Sequence, residues 1–228
     1  MNKIKDDGFQ KFFTWNKSVS LKKLYTKRVR KEVCEMDSCK QASEILEKIV
    51  GKENTILDVA CGTGYLFHSL KKRIKKNFKY YGIDANPEFV EVGNKELQRH
   101  NLYKPIKCMR VEDFVGNFDH IFCLNFLSNI DNYHKILERL LLSAKKSLIV
   151  RESLGDEDNY KYVKDEFLDS SDLSVYVNTY KKNEFLKFIE SYGFEVKLIK
   201  DKRTNGEKEL VINYPHYWHF ILAKRKSK

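Results

Sequence analysis

The sequence predicts an α/β fold, and three observations carry that expectation. An apolar stretch, Ile56-Leu57-Asp58-Val59, runs into a small-residue turn, Ala60-Cys61-Gly62-Thr63-Gly64. A helical pattern follows from Tyr65 to Lys76. A second apolar stretch, Tyr80-Tyr81-Gly82-Ile83, then ends on an acidic residue, Asp84. Strand, glycine turn, helix and acid-tipped strand make half of a nucleotide-binding fold. Gly62 and Gly64 carry no Cβ, so the backbone there can approach a ligand and adopt unusual φ values cheaply. A carboxylate at position 84 can accept hydrogen bonds from two ribose hydroxyls.

Which nucleotide depends on detail. A dinucleotide fingerprint has a third glycine, G-x-G-x-x-G, for close helix–strand packing; here that position is Phe67. Asp58 sits just before the glycines, where it would repel a pyrophosphate and lie close to a cationic amino-acid portion. On Asp58, Cys61-Gly62-Thr63-Gly64 and Asp84, the stretch resembles the first motif of class I methyltransferases that use S-adenosylmethionine (SAM). Their motif reads D-x-x-C-G-T-G, with Ala60 here where many members have glycine. The resemblance covers residues 54–224. It implies a three-layer αβα sandwich around a seven-stranded, mostly parallel sheet of order 3-2-1-4-5-7-6, the last strand antiparallel. It also implies SAM as cofactor and S-adenosylhomocysteine as product. Asp58, Ala60, Gly62, Thr63, Gly64, Asp84 and Ala85 would line the cofactor, with Glu112 or Asp113 at the adenine amino group and Asn125 facing the methyl group.

Residues 1–50 precede this domain, which spans 51–228. Phe9, Phe12, Phe13 and Trp15 form an aromatic cluster, and a helical pattern runs from about Ser20 to Glu35. Ser38 with Gln41 reads as a capping box for a second helix, Gln41 to Val50, closed by Gly51. This extension is either a lid over cofactor and substrate, as in the resembled family, or packing against the sheet. Strands are expected at Asn54–Val59, Phe78–Asp84, Ile106–Arg110, Phe118–Leu124 and Ser147–Val150. Asn86-Pro87 starts the helix that runs to about His100, Asn as cap and Pro at its first position. Asp131 to Ser143 is amphipathic, with Ile136, Leu137, Leu140 and Leu141 on one face. Asn178 or Thr179 caps a helix from Lys181 to Tyr192. Strands at Phe194–Lys200 and His219–Ala223 complete the sheet. An antiparallel last strand begins at the active edge, so Tyr214-Pro215-His216-Tyr217-Trp218 would lie there with Asn125 and Glu152.

The chain has 228 residues and a formal net charge of +11, a balance that invites a nucleic-acid partner. Two details argue against one. Lysines outnumber arginines 34 to 9, whereas bidentate phosphate recognition favours arginine. The stretch from Glu152 to Asp172, expected to wall the acceptor site, holds eight carboxylates against two lysines and would repel a polyanion. The densest basic run, Lys71-Lys72-Arg73 with Lys75, Lys76 and Lys79, falls at the end of the first core helix, opposite the cofactor edge. Five cysteines include no C-x-x-C pair, and Cys61, Cys108 and Cys123 fall in or beside core strands, as in a cytoplasmic protein. No apolar run signals a secretion leader or a membrane span.

Methyl transfer from a sulfonium needs in-line alignment, and a hydroxyl acceptor also wants a base. His216 is the first candidate base and Glu152 the second; the alternative for His216 is structural packing beside Tyr217 and Trp218. No [DN]-P-P-[YF] motif follows the fourth strand, which argues against amino methylation of a base or glutamine. Asn125 alone does not supply an acidic metal cluster, so no metal is expected. The C-terminal aromatics (Tyr160, Tyr162, Tyr176, Tyr180, Tyr214, Tyr217 and Trp218) with nearby carboxylates fit a carbohydrate site. The reading is a metal-independent O-methyltransferase of a small polar acceptor, a saccharide or its derivative, working as a monomer or homodimer. An RNA methyltransferase and a non-catalytic SAM-binding protein are the alternatives.

Overall fold

The computed structural model describes residues 18–164 and 174–226. The predicted aromatic cluster at positions 9–15 and the last part of the acidic stretch, 165–172, lie outside these residues. The elements run α1 (Val19–Val29), α2 (Asp37–Glu47), β1 (Asn54–Val59), α3 (Leu66–Arg73), β2 (Phe78–Asp84), α4 (Pro87–Leu97), β3 (Ile106–Cys108), β4 (Phe118–Leu124), α5 (Tyr133–Ser143), β5 (Ala144–Gly155), β6 (Tyr162–Lys164), β7 (Ser174–Tyr176), β8 (Tyr180–Lys181), α6 (Lys182–Ser191), β9 (Phe194–Lys200), β10 (Lys208–Val211) and β11 (Tyr214–Arg225). No helix among the described residues is long and apolar enough to cross a membrane.

The main sheet runs β3-β2-β1-β4-β5-β11, and β9 pairs with the outer side of β11. β1 to β5 are parallel, and β11 is antiparallel to both neighbours. This is the expected order, with a mostly parallel sheet between two helical layers. One layer buries Leu137, Leu140, Leu141, Phe185 and Ile189 of α5 and α6 against Leu57, Ile121 and Ile221. The other buries Leu46, Leu66 and Leu70 of α2 and α3 against Ile56, Phe122 and Ile149. β1 and β4 are covered on both faces, which is why they read as nearly continuous apolar runs. Parallel strands leave their carboxyl ends along one edge, so the turns after β1, β2, β3 and β4 converge there.

Several local expectations change. The capping box at Ser38 does not form. α2 begins at Asp37 with Met36 as cap, and the Gln41 side chain reaches the end of β9 instead. Gln41 Nε2 donates to Lys200 O at 2.7 Å, and its Oε1 accepts Lys202 N–H at 2.8 Å. Asn178 does not cap α6, whose cap is Lys181. Its amide donates to Ile130 O at 2.7 Å and accepts Lys161 N–H at 3.0 Å, joining two loops. β5 extends from Ala144 to Gly155, well beyond the predicted Ser147–Val150. The last strand starts at Tyr214, not His219, and its first residues form a hairpin with β10. Ile212 and Asn213 make that turn with φ of 48° and 65°. Cys108 is exposed, not a core thiol.

Because Gln41 satisfies two backbone groups at once, Gln41→Ala should cost about 1–3 kcal/mol of stability, read as a lower urea midpoint at an unchanged slope.

Candidate cofactor and acceptor site

The chain leaves β1 with Ala60 at φ 53° and Gly62 at φ 58°. These left-handed residues turn the backbone so that the Gly62 N–H donates to Asp84 Oδ2 at 2.7 Å. The Asn86 N–H donates to Asp84 Oδ1 at 2.8 Å. One carboxylate therefore ties the turn after β1 to the tip of β2 and the start of α4. Burial pushes the Asp84 carboxyl above its ordinary value, and the two N–H bonds pull it back.

A cavity of about 200 Å³ opens on this knot. Ala60, Gly62, Asp84, Ala85, Asn86, Met109, Val111, Glu112, Leu124 and Asn125 line it, with Tyr25 and Tyr65 above the turn. The strand order places Glu112, after β3, and Asn125, after β4, at opposite ends. Asn86 caps α4 by accepting Glu88 N–H at 3.0 Å and Phe89 N–H at 3.3 Å. Its buried Nδ2 has no hydrogen-bond partner among the described residues. A spare donor beside a carboxylate, with apolar walls from Ala85, Met109 and Val111, fits a nucleoside.

The structure divides the sequence candidates. Ala60, Gly62, Asp84, Ala85, Glu112 and Asn125 line the cavity. Asp58, Thr63, Gly64 and Asp113 do not. Asp58 is buried beneath the turn and accepts the Tyr80 hydroxyl at 2.8 Å. Burial pushes its carboxyl up to about 7 against that hydrogen bond, and the nearby Asp84 adds to the rise. Thr63 is fully buried and donates to Tyr25 O at 2.9 Å. Gly64, at φ 74°, leaves room for Leu97 and Ile106, whose side chains a Cβ there would meet at 2.9 Å. Asp113 is exposed, while Glu112 faces the cavity and pairs with Arg110 at 3.1 Å.

Both candidate bases are withdrawn from the cavity. Glu152 is fully buried. Its carboxylate accepts the N–H groups of Phe126 (2.9 Å), Leu127 (2.8 Å) and Ser128 (2.9 Å). Burial raises it to about 7 while those three donors oppose the rise. Glu152 thus shapes the turn after β4. His216 lies in the β10–β11 hairpin opposite Glu209, stacked on Trp218 with ring centroids 5.1 Å apart. Its Nδ1 donates to Tyr214 O at 3.2 Å, and burial lowers its pKa. β11 starts five residues earlier than predicted, and that extra length takes His216 into the sheet.

Asn125 has φ 56° and is held by Arg151, whose Nη1 donates to Asn125 Oδ1. Arg151 Nε donates to Asp201 Oδ2 at 2.7 Å, and its guanidinium lies 4.4 Å from the Trp218 ring centroid. Tyr25 was not a sequence candidate. Its ring covers Gly62 so closely that a Cβ there would lie 2.7 Å away, and it stacks on Phe89 at 4.8 Å. Phe89, Met109, Arg110, Phe126 and Asn129 are further lining residues that no motif marked, and Asn86 was marked only as a helix cap.

Known proteins agree with this architecture. Residues 57–146 match the methyltransferase domain family. The mitochondrial ubiquinone biosynthesis O-methyltransferase of Saccharomyces cerevisiae is 32% identical over 88 residues, 37% of this chain and 28% of that protein. A magnesium protoporphyrin IX methyltransferase from Synechocystis, solved with bound SAM, superposes with a TM-score of 0.58 at 14% identity. That alignment covers 97% of this chain and 92% of the other. A Burkholderia thailandensis 1,6-didemethyltoxoflavin-N1-methyltransferase, solved with its acceptor and S-adenosylhomocysteine, gives 0.57 at 14% identity over 83% and 78% of the two chains. The chain has the Rossmann-like methyltransferase fold. The matched stretch spans little more than a quarter of the curated O-methyltransferase.

A carboxyl whose folded pKa is raised contributes stability below its unfolded pKa, and that contribution is lost as pH rises through the folded value. For Asp58 the window runs from about pH 4 to about pH 7. The wild-type chain should lose this contribution across that window, and Asp58→Asn should remove this component from urea midpoints measured at each pH.

Proposed function

We propose that this chain is a SAM-dependent methyltransferase that passes a methyl group to a hydroxyl of a small polar acceptor near Asn125. The observation that carries this reading is Asp84, held between the N–H groups of Gly62 and Asn86 at the wall of a cavity. SAM, when bound, supplies an activated methyl on a sulfonium. Asp84 and the spare Asn86 amide would hold ribose hydroxyls. Ala85, Met109 and Val111 would flank the adenine, and Glu112 would accept its amino group. α1 would serve as a lid, fastened to α4 by Lys22–Glu88 (2.6 Å) and Arg30–Glu96 (2.9 Å).

Asn125 lies at the acceptor end. Its Oδ1 is engaged by Arg151, which leaves the amide N–H groups to donate to a substrate oxygen. Asn129 adds a second amide, and Leu124, Phe126 and Ile130 give apolar walls. With Glu152 and His216 committed to structure, catalysis here rests on alignment, which can contribute about 7–11 kcal/mol. A sugar hydroxyl stays within this reading. Stacking on Tyr180 or Trp218 does not, because both are buried in the protein.

Calorimetric titration with S-adenosylhomocysteine should give saturable binding, weakened roughly 10–100-fold by Asp84→Ala, as loss of charge-assisted hydrogen bonds predicts. Absence of saturable heat from the wild-type chain overturns the proposal. Asn125→Ala should leave that affinity nearly unchanged and slow labelled-methyl transfer from SAM to hydroxyl acceptors by about tenfold, the loss of one hydrogen bond.

A further inference from the structure

A second cavity, about 370 Å³, lies on the outer side of α1 and α3 and shares the Met36 and Tyr65 walls with the first. Arg28, Lys31, Lys71, Lys72, His68 and His100 line it. Lys71 and Lys72 belong to the basic run that the sequence placed away from the cofactor edge; the structure instead brings them beside a cavity adjoining it. Glu35 is the one carboxylate of the lining, and it is already engaged. Arg73 Nη1 and Nη2 donate to its two oxygens at 2.5 and 3.0 Å, and this pairing holds its carboxyl down to about 2.

Among the described residues the cations are not neutralised from within. Arg28, Lys31 and Lys71 form no side-chain hydrogen bond or ion pair among the described residues, and Lys72 reaches Glu35 only at 3.6 Å. The Arg28 guanidinium lies 5.0 Å from the Tyr25 ring centroid and 5.3 Å from that of Tyr65. Cation–π contact holds the planar fork without spending its N–H donors on hydrogen bonds, an arrangement suited to the paired oxygens of a phosphate or carboxylate. His68 Nε2 donates to Val29 O at 2.7 Å, and its ring lies 5.0 Å from that of His100.

We infer that this cavity binds a small molecule through a phosphate or carboxylate group, as a second ligand site distinct from the methyl acceptor. The local field agrees: after burial, Lys31 lowers both histidine pKa values, with Lys71 acting on His100 and His100 on His68. A bound dianion would reverse that effect and raise both. Lysines on an ordinary solvated face would respond only to ionic strength.

The test is an NMR titration of His68 and His100 in the full chain with inorganic phosphate, citrate or chloride at constant ionic strength. A saturable rise of both histidine midpoints with phosphate alone assigns a phosphate group, and with citrate alone a carboxylate. In either case Lys71→Gln and Arg28→Met should weaken binding at least tenfold. Both variants are judged only if they keep the wild-type amide spectrum; Lys71 is exposed and should keep it. No saturable rise, or the same rise with chloride, overturns the inference. Neither result depends on SAM binding or methyl transfer, so this site can fail while the proposed activity stands.

Discussion

The site hangs on one carboxylate. Asp84 takes a backbone N–H from each side, and in doing so it fixes the distance between the turn after β1 and the head of α4. The chain could not make this knot with an ordinary residue at position 62. The backbone there is left-handed, and Tyr25 leaves no room for a Cβ. Burying a carboxylate is costly unless hydrogen bonds replace its water. Two N–H donors meet part of that need, and Asp84 lies at the wall of the cavity. A ligand offering hydroxyls at that spot would complete the set, and under the proposed function the residue that stabilises the turn would also recognise that ligand.

The Asn125 end of the cavity follows the same logic with different groups. Asn125 sits in a left-handed conformation that most side chains avoid, and the surrounding contacts over-determine it. Glu152 holds the three N–H groups that follow, and Arg151 holds its side-chain oxygen. Arg151 is in turn held by Asp201 and packed on Trp218. Truncating one partner in such a buried network leaves an uncompensated charge, which costs more than the pair contributes. The polar residues at the tip of β5 therefore act on geometry, at one remove from any substrate.

Residues whose role depends on local sequence were legible beforehand. The glycine turn, the acid at the tip of β2 and the Asn86-Pro87 helix start are each set by neighbours within a few positions. So is the strand order, once the turn identifies the fold. Misreadings fell where a side chain has distant partners. Glu152 and His216 looked like bases because both stand near the active edge in sequence. Only the lengths of β5 and β11 reveal that one caps a turn and the other is enclosed by a hairpin. That hairpin was hidden because its turn is Ile212-Asn213, with a β-branched residue at positive φ in place of the usual Asn-Gly signal. Tyr25 was hidden for a similar reason: the helical pattern around it was legible, but nothing near it in sequence marks which of its residues covers the glycine turn.

That helix joins the two cavities. Tyr25 and Arg28 are three residues apart on α1, so they share a face. Tyr25 covers Gly62 on one side, and Arg28, in cation–π range of both Tyr25 and Tyr65, lines the cationic cavity on the other. The Arg30–Glu96 and Lys22–Glu88 pairs fasten the same helix to α4, whose first residue follows the Asp84 knot. Any shift of α1 that opens the glycine turn must therefore move the Arg28 fork as well. An anion that fixed the fork would hold Tyr25 in place, and a cofactor that displaced Tyr25 would disturb the fork. Coupling of this kind is reciprocal by thermodynamic necessity.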